Sequence, residues 1–169
     1  CGDSHDEEQD SSCEKCDFET DRCKALHELN LHPGWVRRNG RSGMGPPYSD
    51  HSGNDSAYFL SLSSEMASSS ATLRTNVFLP TDEEHVCQIT FHYWISQMSG
   101  TLMVGFQKHS EDIIKNIWQD SGELQNQWKE NTITINSTEK YEVIFWAMVD
   151  TQRQNETVAI DDISFSKEC

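Results

Sequence analysis

Positive charge is scarce in this sequence. Its 13 Lys+Arg stand against 28 Asp+Glu, a net charge of −15, which repels phosphate backbones and anionic lipid head groups and argues against nucleic acid or a membrane surface as partner. Long apolar runs are missing too. None approaches the roughly eighteen residues of a membrane span, so no direct membrane insertion is expected. The chain opens on Cys1 and not on a signal peptide, and reads as an excised extracellular piece whose anchor, if any, lies outside it. Nor does a 3.6-residue apolar period persist anywhere, so nothing demands a helix.

Enzyme signatures are equally thin. His27-Glu-Leu-Asn-Leu-His32 resembles the zinc-protease spacing but carries one residue too many. On a helix the second imidazole would stand about 140° from the first, and Pro33-Gly34 follows at once. Gly40-Arg-Ser-Gly43 begins like a nucleophile elbow, but Met44 replaces the final glycine and no strand-turn-helix surrounds it. No catalytic residues are assigned, and an enzyme is not expected.

What is present points outside the cell. Six cysteines, Cys1, Cys13, Cys16, Cys23, Cys87 and Cys169, form an even set. Cys13 and Cys16 have the CxxC spacing with no second such pair for a zinc site, so disulfides are the better reading. Asn54, Asn136 and Asn155 open three N-glycosylation sequons in polar stretches, consistent with an oxidising, extracellular compartment, secreted or on an ectodomain.

Alternation with period two dominates the chain. In CQITFHYWIS the residues Cys87, Ile89, Phe91, Tyr93 and Ile95 share one face. TLMVGFQK repeats the pattern after Met98-Ser-Gly100, and the two runs read as a hairpin. YEVIFWAMVD places Tyr141, Val143, Phe145, Ala147 and Val149 on a core face. Further strands are expected in AYFLSLS, TLRTNVFL, NIWQ, NTITI and VAIDDISFS. The fold class is all-β, an antiparallel β-sandwich of jelly-roll type. The Gly/Pro/Ser-rich segment 39–54 cannot be a central strand, and its two prolines with Asp50 and His51 predict an ordered, tethered loop. Residues 1–14 have almost no apolar content, which sets a boundary near Glu14, with one domain over 15–169.

The acids offer a cation site. Calcium takes six to eight oxygens, and the ends of a sandwich can gather them without a compact motif. Glu19 and Asp21, Asp50, and Asp161 with Asp162 provide such oxygens. Asp161 shares parity with Ala159, Ile163 and Phe165, the set expected to face inward, where a carboxylate requires a cation or several donors; a salt bridge or backbone amides would serve as well. Trp94, Trp146 and Met148 fall opposite the core faces, either as an exposed recognition patch or covered by the second sheet or a long loop.

CDFETDRC, PGWVRRNG, GPPYSDHSG followed by Tyr58, the CQITFHYW strand with SGTLMV, and AIDDISFSKEC resemble, in order, the landmarks of the MAM domain over Cys16 to Cys169. The resemblance implies the pairs Cys16–Cys23 and Cys87–Cys169. It implies a non-catalytic β-sandwich module used in adhesion, receptor assembly and oligomerisation, with a structural cation site in some members, for which the oxygen donors here suggest calcium. Carried over, that site falls on Glu19, Asp21, Asp50 and Asp161, with Asp162 as an addition. Ala25 departs from the family pattern, which often has an aromatic there. The front segment CGDSHDEEQDSSC resembles the tail of an LDL-receptor class A module, with Asp3, Asp6 and Glu7 at its ligand places; a Cys1–Cys13 pair would form only for want of upstream partners. The expected partner is an extracellular protein or a second copy. The alternative is glycan, bound on Trp94, Trp118, Trp128 and Trp146 if two or more of those rings lie coplanar and exposed on one sheet.

Overall fold

The computed structural model describes residues 15–28, 34–66, 68–96, 100–122 and 126–169. The segment 1–14, with Cys1 and Cys13, lies outside them. Eleven strands and no helix occur among the described residues, arranged as two antiparallel sheets. In the first, β3 (Val36–Asn39), β4 (Tyr58–Ser63), β11 (Thr157–Phe165), β6 (Cys87–Ile95) and β9 (Lys129–Ile135) lie side by side, and β1 (Lys15–Cys16) pairs the far half of β11. The second runs β2 (Leu26–Glu28), β5 (Ser70–Thr75), β10 (Tyr141–Met148), β7 (Thr101–Lys108) and β8 (Lys115–Ser121). This is the expected all-β sandwich.

Alternation builds the core. Ile89, Phe91, Leu102, Val104, Val143 and Phe145 are fully buried between the sheets, and Phe91 meets Phe145 edge-to-face with centroids 5.3 Å apart. Each such side chain contributes roughly 1.5–3 kcal/mol on leaving water. The Cys87–Cys169 bridge ties the start of β6 to the residues after β11, and Cys16–Cys23 closes the first loop. Ala25 is buried beside that loop.

Two expectations are corrected. β6 and β7 do not form a hairpin: β6 pairs β11 and β9 in one sheet, and β7 pairs β10 and β8 in the other. Their apolar faces look at each other across the core, so the connection crosses between layers. Gly100 sits where a Cβ would meet Ile95 and Val158. The second correction concerns β11. Its register with β6 shifts between Asp161 and Ser164, and Asp162 has φ 46°. A β-bulge adds one residue to one strand and so reverses the facing of everything beyond it. Val158 and Ile160 face the core before it, and Ile163 and Phe165 after it. Ala159 and Asp161 therefore face the outer side, which is itself covered.

The cover is the loop 40–57. It lies over Phe59, Trp94 and Ala159, which form a second small cluster with Trp128. Arg38, only 3% exposed, pins it. Its Nε–H donates to Ser61 Oγ at 2.8 Å, and its Nη groups donate to the carbonyls of Gly45, Pro46 and Pro47 at 3.2, 2.8 and 3.2 Å. The tethered loop was expected; its anchor was not. Gly40 is required for the fold-back, because a Cβ there would overlap the Tyr48 carbonyl.

Candidate functional site

The two outer faces differ. That of the first sheet is roofed around Trp94, which is 4% exposed, where Trp128 donates its Nε1–H to the Ser49 carbonyl at 3.0 Å, while Gln88, Glu130, Thr132 and Thr134 leave the rest of that face polar and open. Trp118 packs edge-on against Phe91 and Tyr93 at 5.3 and 4.9 Å. Trp146 alone of these four lies open, 41% exposed, so no pair of coplanar, solvent-facing rings is formed. The patch expected from Trp94, Trp146 and Met148 is thereby divided between two sheets.

Trp146 belongs to an apolar trough on the outer face of the second sheet. Register builds it in two rows: Trp146 lies between Thr72 and Met103, and Ile144 lies between Arg74 and Gly105. Ile114, from the loop before β8, forms the rim, and the trough has a volume of about 410 Å³. Gly105 forms part of the floor at a bulge between β7 and β8, where a Cβ would stand 2.7 Å from the Lys115 carbonyl and 2.9 Å from Ile114. Ile113 and Ile114 next to it are 74% and 45% exposed. On one side Arg74 reaches Gln107 Oε1 at 2.7 Å and Glu142 Oε2 at 3.2 Å. Asn54, Asn136 and Asn155 are all exposed and lie in connections between strands, none on a strand of this sheet.

The acidic residues gather differently from expectation. Glu19 Oε1 accepts the Tyr58 amide at 2.9 Å. Asp21 Oδ1 accepts the Cys23 amide at 2.7 Å, closing the disulfide loop as an Asx turn. Asp50 accepts Ser52 Oγ and the Asn54 amide at 2.8 and 2.7 Å, which folds its turn. Asp161, 2% exposed, accepts from the backbone amide and Nδ1–H of His51 at 3.3 and 2.9 Å. Burial pushes its carboxyl up to about 6, against the opposing pull of His51. Two close groups of metal-ligating atoms result among the described residues, Asp50–His51–Asp161 and His51–His92–Asp162, and neither includes Glu19 or Asp21.

His51 and His92 are the residues that sequence reasoning missed as site members. Their rings stack with centroids 3.9 Å apart. His92 stands opposite Asp161 in the β6–β11 register, a cross-strand fact that no single-chain pattern carries. Burial and the neighbouring His51 hold the pKa of His92 below the usual histidine range.

The chain is 26% identical over 143 residues to Neuropilin-1 of Xenopus laevis, covering 83% of this chain and 15% of that protein. Its fold is similar to the K1 cleaved adhesin domain of Lys-gingipain from Porphyromonas gingivalis W83, with TM-score 0.59, 14% identity, and 92% and 98% of the two chains covered. The K3 domain of the same protein follows with TM-score 0.51, 17% identity, and 83% and 98% covered; at these identities the likeness is one of fold. With the model of the MAM domain, meprin/A5/mu, matching residues 16–169, alternating core strands, two disulfides and the bulged AIDDIS strand all fall in one frame: the chain belongs to the MAM domain family.

Proposed function

We propose that this chain is a non-catalytic extracellular module that binds a partner protein through the outer face of its second sheet, in adhesion or receptor assembly. The trough between Trp146, Met103, Ile144 and Ile114 carries this reading. Exposed apolar side chains around a concave, well-packed floor are the composition of a protein-binding hot spot. The loop 40–57 roofs the aromatic part of the other face and the remainder of it is polar, and none of the sequon asparagines lines the trough. The occupant is an aliphatic or aromatic side chain from a partner segment flanked by basic residues, since a chain of net charge −15 repels acidic surfaces. A sugar platform is less well supported, because Trp146 alone of the four candidate tryptophans is open and no second one lies coplanar with it.

Cell-surface binding of the fluorescently labelled module tests this. Trp146→Ser with Ile114→Ser should reduce binding at least tenfold. Protease treatment of the cells should abolish it, and glycosidase treatment should leave it. Loss on glycosidase treatment with protease-resistant binding would establish the glycan reading instead.

A further inference from the structure

We infer that His51, His92 and Asp162 form a site for a borderline divalent ion of the zinc type, beside the acids Asp50 and Asp161 on which the family resemblance places a cation. His51 directs its Nδ1–H at Asp161 Oδ2, 2.9 Å away. A neutral ring held so presents a bare lone pair at Nε2, and that nitrogen lies 3.4 Å from Asp162 Oδ2. Two acceptors face each other there, which is unfavourable unless a proton or a cation lies between them. In a tetrahedral zinc site with bonds of about 2.0–2.1 Å, neighbouring ligand atoms stand about 3.3–3.4 Å apart. The observed separation matches that spacing.

The surroundings supply the remaining parts. Lys15 holds Asp162 Oδ1 at 3.1 Å, which leaves Oδ2 turned to His51. Asp161 on the far nitrogen of His51 is the orienting carboxylate that metal-bound histidines almost always carry. His92 brings a third ligand atom within 4.8 Å of the other two. Its Nε2 faces Glu130 Oε2 at 3.2 Å, and its Nδ1 is buried with no hydrogen-bond partner. Stacked rings hold their lone pairs side by side, so His92 must turn out of the stack to share the ion. Its outer contact is to Glu130, which is 61% exposed, so that contact passes to water, and the bond to the ion takes the place of the stack on His51. Two imidazole nitrogens with one carboxylate suit zinc, whereas calcium takes oxygen ligands only. Partial exposure of all three side chains leaves a coordination position for water or for a partner's side chain.

Calorimetric titration of the untagged protein with Zn2+ and with Ca2+ tests the site. Zn2+ should bind with one-to-one stoichiometry, and His92→Gln and Asp162→Asn should each weaken it at least tenfold. Asparagine tolerates the left-handed backbone of Asp162, so the second variant keeps the bulge. In the native protein, Zn2+ should shift the imidazole resonances of His51 and His92 and leave those of His27, His85 and His109. Binding of Ca2+ without Zn2+, unchanged Zn2+ affinity in both variants, or shifts confined to the other histidines would overturn the inference.

Discussion

Arg38 Nη2 donates to the Pro46 carbonyl at 2.8 Å from beneath the loop, and the same guanidinium lies 4.8 Å from the centre of the Phe59 ring. Burial pushes its pKa down to about 10, so it stays charged at neutral pH, held by carbonyl dipoles in place of water. One side chain thus fastens the loop 40–57 to the first sheet. Arg38→Met keeps most of the volume and removes the donors, leaving buried carbonyls unpaired. The variant should lose about 3 kcal/mol of stability in denaturant titration, and Trp94 should become accessible to acrylamide quenching. Quenching equal to that of the native chain would show that the loop does not depend on Arg38.

The two disulfides should contribute unequally. In the chain-entropy model, the bridge spanning a separation of 82 residues contributes about 4.5 kcal/mol, and the one spanning 7 contributes about 2.5. Replacing Cys87 and Cys169 together by Ser should therefore lower the melting temperature more than replacing Cys16 and Cys23 together. Equal shifts in calorimetry would contradict the loop-length argument.

Gly105 should resist any side chain. A Cβ there meets a backbone carbonyl at 2.7 Å, and a carbonyl held in a ladder cannot swing aside as a flexible side chain would. Gly105→Ala should cost about 1–3 kcal/mol as overpacking and displace Ile114 from the rim of the trough. A denaturation midpoint within error of the native value would mean that the β7–β8 bulge yields freely.

The sandwich was legible in the sequence because each long strand carries its own alternation, as Cys87 to Ile95 and Tyr141 to Val149 show. Pairing was not, because alternation names a face and no neighbour: β6 and β7 each read as a half-buried strand, whether joined as a hairpin or crossing between sheets. The short strands β1, β2 and β3 hold too few residues to show a period. Asp161 was found for a reason that the bulge reverses. Counting by twos put it inside with Ile163, and the extra residue turned it to the outer side, where His51 and the loop bury it. His92 entered the site through cross-strand register alone. The covered Trp94 and the open Trp146 carry the same local pattern, and only the path of the loop 40–57 separates them.

The most direct test of the binding face uses a glycan as a wedge. Gln119 is exposed on β8 opposite Met103, and Gln119→Asn creates the sequon Asn-Asp-Ser with the native Asp120 and Ser121. Expressed in a glycosylating host, that variant should keep its melting temperature and lose cell-surface binding, and enzymatic removal of the sugar should restore it. Undiminished binding by the fully glycosylated variant would contradict the assignment of the trough as the interaction surface.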